Sequence, residues 1–186
     1  MDNIMLDLET WNNEPTAVVI QCAAIKFDPK TGKMGEIFNV HIDAEDEMAN
    51  GFTVGANTLY WWFNQSEMAQ VSAVGPKNER MECKMAWLDF NLFCKGVKNI
   101  WSHASFDAAI VIHHMKTLDI TPLYSFRAMK DLRTAQLFSG IDPRPYKNEA
   151  SGPLHDAVVD CKVQIAWFSD AFNRIEGKSH IQRNKH

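Results

Sequence analysis

The sequence predicts an α/β fold built on a mixed sheet, an antiparallel meander extended by parallel strands, with helices on both faces. Two observations carry this. Strand-like segments separated by turn signals crowd into the first 42 residues, and from residue 99 onward short strand-like segments alternate with helix-periodic ones. The first pattern pairs neighbouring strands through tight turns, whereas the second requires crossovers and therefore parallel pairing.

Taken in order, Asn3 to Leu8 is short and apolar and reads as a strand. A polar turn through Asn12, Asn13 and Pro15 leads into Val18 to Phe27, and Asp28-Pro29-Lys30-Thr31-Gly32 turns the chain back into Glu36 to Ile42. Asn57 or Thr58 is placed to cap a short helix carrying Leu59, Trp61, Trp62 and Phe63, and Gly75-Pro76 breaks the chain after it. Met81, Met85, Leu88 and Leu92 recur at helical spacing, so one apolar stripe on a helix ending near Gly96 is expected to cover a sheet face. Asn99 to Ser102 is a brief strand, followed by a helix from Phe106 to Met115 on which Ile110, Val111 and His114 keep helical spacing. Arg127 to Leu132 and Thr134 to Phe138 repeat the strand-helix order. Gly140 to Gly152 reads as a mobile loop, and Ala157 to Phe172 as the last helix.

The chain has 186 residues, 46% of them hydrophobic, which suits a single domain over 1–176 followed by a basic, flexible tail over 177–186. Its formal net charge of -4 argues against a protein that coats duplex DNA through many phosphate contacts. Acidic metal ligands would themselves push the charge negative. The four cysteines, Cys22, Cys83, Cys94 and Cys161, form no C-x-x-C pair, and no charged start followed by an apolar run suggests export. A cytoplasmic, reduced protein is expected. No stretch approaches the roughly 18 apolar residues of a membrane span, so no membrane partner is expected.

Three groups of residues invite chemistry. Asp7 and Glu9 stand at i and i+2 at the end of the first strand, so their carboxylates emerge on one face. Asp107 follows a strand at the start of a helix, where a lone acid would simply favour the helix N-terminus. His155 lies at a loop-to-helix junction with Asp160 about one turn into the helix. Taken singly, each group has a mundane reading as solvated or capping side chains.

In this order, D-x-E on an early strand, F-D after a middle strand and H-x4-D on the final helix resemble the three motifs of the DEDDh class of DnaQ-like exonucleases, whose fold is ribonuclease-H-like. The resemblance spans Asp7 to Asp160. It extends to Thr58 to Gln65 (TLYWWFNQ) and Asp131 to Ala135 (DLRTA), which look like the matching stretches of phage exodeoxyribonucleases of the DexA type and of RNase-T-like exoribonucleases. The sequence departs from the pattern at Trp11, after the first motif, and at Ser102, His103 and Ala104, ahead of the second.

The resemblance implies Asp7, Glu9, Asp107 and Asp160 as metal ligands and His155 as general base, acting on the 3′ end of single-stranded DNA and releasing nucleoside 5′-monophosphates. RNA, as for RNase T, is the close alternative. Oxygen-only ligands favour two hard cations, Mg²⁺ or Mn²⁺, over zinc. Thr10, Trp11, Phe106, Trp62 and Arg133 are the candidate substrate contacts: Trp11 as an open aromatic beside the acids, Trp62 and Phe106 with core packing as the competing role, and Arg133 with an ion pair to Asp131 or a helix cap as the competing role. Arg144 and Lys147 are placed to reach the strand backbone. RNase-T-like relatives suggest a homodimer, and a phage-encoded enzyme would work in the host cytoplasm. A silent nucleic-acid-binding scaffold would lack at least one of the five residues, and an endonuclease of the ribonuclease H type would not call for the histidine.

Overall fold

A computed structural model describes the backbone of residues 1–183 and the side chains of 1–177. Its strands are β1 (Asn3–Thr10), β2 (Val19–Phe27), β3 (Met34–Ile42), β4 (Arg80–Met81), β5 (Asn99–Ser102) and β6 (Met129–Asp131). They form one sheet in the order β4-β3-β2-β1-β5-β6. The meander β1-β2-β3 is antiparallel, while β5 joins β1, β6 joins β5 and β4 joins β3 in parallel. The mixed sheet expected from the sequence is therefore observed, with β4 as an added edge too short for its periodicity to register.

Strand alternation divides the core. On β1, Ile4, Leu6 and Leu8 face one cluster and Met5 the other, and on β2 Cys22 and Ala24 oppose Ala23, Ile25 and Phe27. The helices are α1 (Ala44–Ala49), α2 (Ala56–Phe63), α3 (Glu67–Val74), α4 (Cys83–Phe93), α5 (Asp107–Thr117), α6 (Leu132–Ser139), α7 (Arg144–Asn148) and α8 (Ala157–Arg183). Residues of α4 and α5 fill the first cluster; α6 and α8 fill the second. Among the described residues no helix is long and apolar enough to cross a membrane.

Several local expectations are corrected. The stripe Met85, Leu88 and Leu92 is exposed and Met81 belongs to β4, so α4 turns a different face to the sheet, built from Cys83, Ala86, Trp87 and Phe90. That face wins because it buries two large aromatics and because the Trp87 indole finds a partner, donating to Glu47 Oε1 at 3.1 Å. Glu47, fully buried on α1, also accepts the Val19 N–H and lies 2.9 Å from His114 Nε2, joining β2, α4 and α5 beneath the sheet. Helix α2 starts earlier than a cap at Asn57 or Thr58 would allow: Gly55, ahead of both, holds the N-cap position with no side-chain bond. Helices α1 and α3 were not anticipated, and α7 occupies the middle of the segment read as a loop. The tail expected over 177–186 lies, from residue 178 on, outside the residues whose side chains are described.

Candidate active site

The acids sit where the α8-facing side of β1 changes from apolar to charged. Met5 packs under α8, but the next two residues on that face are Asp7 and Glu9, opposite Ala23 and Gln21 of β2. A register irregularity falls between Glu9 and Thr10, as is common where a strand end is re-aimed at a functional site. Small Ala23 leaves room beside Asp7, whose Oδ1 accepts a 2.7 Å bond from Gln164 Nε2 of α8. Asp107 opens α5, directly after the parallel strand β5 and a short turn, and its Oδ2 accepts the His103 N–H at 2.9 Å.

The third group rests on the start of α8. Asp156 is the cap, its Oδ1 accepting the N–H groups of Val158 and Val159 and its Oδ2 the Ser72 hydroxyl. Gln21 Oε1 accepts the Ala157 N–H, tying this turn to β2 beside Glu9. His155 then adopts φ 66, a left-handed conformation that costs a non-glycine residue about a kcal/mol or more. Its N–H donates to Asp160 Oδ2 at 3.0 Å. The preceding loop lies close on the helix: a Cβ at Gly152 would stand 2.7 Å from Val159 Cγ2.

All five residues of the three motifs line one cavity of about 360 Å³, with Gln164 among the others. Ligand atoms of Glu9, His155 and Asp160 lie within 4.8 Å of one another. Burial, followed by repulsion from the other carboxylates, holds Asp7 and Glu9 well above the usual carboxylate range. Burial also raises Asp107 to about 7, against the pull of backbone N–H groups and Arg133, and raises Asp160 more mildly. Three buried acids and the half-buried Asp160 crowd together here with more negative charge than Arg133 and Lys147 offset, and hard divalent cations would balance it. The donor set therefore fits such ions. Burial lowers the pKa of His155, against the opposing pull of Asp160, so its imidazole is neutral at pH 7.

The remaining site expectations divide. Trp11, anticipated as an open aromatic, is half-buried and packs against the core; its N–H and C=O are bound to Val18 and Gly55. Trp62 is buried and donates to the Thr10 carbonyl at 2.8 Å. Thr10 is buried and donates through Oγ1 to the Asn12 carbonyl. Phe106 packs against the core yet lines the acid cavity as well. Arg133 makes no ion pair with Asp131: it donates to Ser105 Oγ at 3.0 Å, while Asp131 caps α6 and accepts the Ala104 N–H. Sequence reasoning placed Trp61 on α2 without a role. Its ring meets that of His155 edge-on at 4.8 Å, and with Phe106, Trp62, Asn57 and Thr58 it lines a cavity of about 470 Å³ that opens onto Glu9. The crowded aromatic run was a visible signal, but nothing in the sequence says which of its rings stays exposed.

Fold and site together define a class: a 3′-5′ exonuclease domain of the ribonuclease-H-like fold, with four acids and a histidine gathered at the end of the central strand. The chain belongs to the family described as the 3'-5' exoribonuclease Rv2179c-like domain, whose model matches residues 2–172. No curated protein matches the sequence significantly. Among solved structures, E. coli exonuclease I in complex with a dT13 oligonucleotide superposes with a TM-score of 0.69 at 16% identity, over 96% of this chain and 42% of that one. Cell-death related nuclease 4 superposes with a TM-score of 0.62 at 17% identity, over 92% of this chain and 63% of its own. The chain thus spans less than half of exonuclease I, and at these identities the likeness speaks for the fold alone.

Proposed function

We propose that this protein removes nucleotides from the 3′ end of single strands, with two Mg²⁺ or Mn²⁺ ions held by Asp7, Glu9, Asp107 and Asp160, releasing nucleoside 5′-monophosphates. The reading rests on one observation: five side chains from three distant segments converge on a single cavity. When bound, the ions would stabilise negative charge on the attacking and leaving oxygens. His155, neutral at working pH and braced edge-on by Trp61, takes the proton of the attacking water. The aromatic cavity beside Glu9 accepts the terminal nucleotide, its base against Trp61 or Phe106.

DNA is the first substrate we propose. RNA is the second reading, supported by the description of the family and by the amide and hydroxyl groups of Asn13, Asn57 and Thr58 in the nucleotide cavity, which are suited to a 2′-hydroxyl. A time course with Mg²⁺ or Mn²⁺ on 3′-labelled and 5′-labelled single strands of both sugars tests this. Immediate release of a labelled mononucleotide from the 3′ end, with stepwise shortening of the 5′-labelled strand, is expected. Internal fragments, or digestion from the 5′ end, would refute it.

A further inference from the structure

The acid cavity adjoins two others, and the two differ in chemistry. Toward α2 it shares Leu8, Glu9 and Phe106 with the aromatic cavity. Toward α6 and α7 it shares Gln136 and Pro143 with a wide groove of about 690 Å³, along which stand Arg133 and Arg144. Lys147 stands at the junction, lining the acid cavity itself, and among the described residues it has no carboxylate partner within salt-bridge distance. One side thus offers flat apolar faces and a confined space; the other offers cations on an open surface.

We infer that the groove between α6 and α7 is the track for the strand upstream of the scissile bond, with Lys147, Arg133 and Arg144 contacting successive phosphates. This rests on the exonuclease reading above, because it takes the acid cavity as the place of the scissile phosphate. Bases need faces to stack on and the terminal sugar needs enclosure, which the α2 side provides; a phosphodiester backbone needs cations and room to continue, which the α6-α7 side provides. The strand therefore enters over α7, crosses the acids and ends against Trp61. The Arg144 guanidinium lies against Asp142, which also lines the groove, with Nε and Nη2 engaged, but its side chain is 86% exposed. The Arg133 donor held by Ser105 links the track to the turn that carries Asp107.

The test measures binding of single strands of three and eight nucleotides by fluorescence anisotropy, with Ca²⁺ replacing the catalytic ion. The double variant R133E/R144E is compared with wild type and with Lys84→Glu, an exposed lysine of α4 away from the groove. The double variant is expected to bind the octamer at least tenfold more weakly, to lose most of the affinity that wild type gains from trimer to octamer, and to show a salt slope shallower by about 0.7 for each phosphate it no longer neutralises. Equal losses for trimer and octamer, or a loss no greater than that of Lys84→Glu, would overturn the track. A wild type that binds strands in this way but hydrolyses none would refute the exonuclease reading and leave the track standing; a wild type that binds no single strand overturns both.

Discussion

Replacing Asp107 with Asn should make the metal-free protein more stable while abolishing its activity. Asp107 is 2% exposed, and burial lifts its pKa from 3.8 to about 7. Folding thus favours the protonated acid. The stabilisation this represents is complete below pH 3.8 and is lost as pH rises through 7, where the ionised carboxylate is forced into the fold. At about 1.4 kcal/mol for each tenfold change in acidity, the penalty above pH 7 is on the order of 4 kcal/mol. Asparagine removes the charge and keeps one oxygen for the His103 N–H, so a net gain of roughly 1 to 2 kcal/mol is expected once the lost acceptor is counted. For a chain of this size that is a rise of about 2–8 °C in Tm. Thermal unfolding in EDTA at pH 8 reads it directly. Acidifying wild type to pH 5.5 should recover about half of the penalty, and adding Mn²⁺ should raise wild type but scarcely the variant. A variant that melts at or below wild type in EDTA at pH 8 would refute the view that the site is a cluster of acids awaiting cations.

Three further outcomes follow from the same geometry. His155→Ala should lower kcat by roughly 10²–10⁴ while calorimetric titration with Mn²⁺ keeps its stoichiometry, and near-normal turnover at pH 8 would remove His155 from the proton transfer. Trp61→Ala should weaken binding of a short single strand by about 1–3 kcal/mol, whereas Trp11→Ala should change it little, because Trp11 packs against the core. Glu47→Ala strips a fully buried site of the acceptor for Trp87 and of the partner of His114, and should cost about 3–5 kcal/mol in urea unfolding without changing kcat per folded molecule; a loss below about 1 kcal/mol would show the network to be dispensable.

The sheet was legible in the sequence because its strands and turns follow strong local patterns, whereas the five residues of the motifs, each weak alone, stood out only through their order. Asp7 and Glu9 share a face by strand alternation, and the meander announces itself through turns such as Asp28 to Gly32. The convergence of Asp107 and Asp160 on that strand was not legible from spacing; it came from the order of the motifs. The α4 stripe misled because Met85, Leu88 and Leu92 are as apolar as the face that packs, and what decides between them, the burial of Trp87 and Phe90 and the indole's acceptor 40 residues away in Glu47, appears only in the fold. Trp11 and Trp61 exchanged places for a similar reason. Exposure is set by what lies above a ring after folding, and two neighbouring tryptophans on a short helix look alike in sequence although one bonds Thr10 and the other faces His155.

The closeness of Gly152 to Val159 gives this protein a weak point that contains no chemistry of its own. A larger residue at 152 must displace either the Val159 side chain or the segment leading to His155, while Asp7, Glu9 and Asp107 stand on β1 and α5. If the segment gives way, the acids keep their places and the histidine loses its own. The place of the histidine thus depends on a residue that has no side chain, and an inventory of the acids and the histidine alone would miss it.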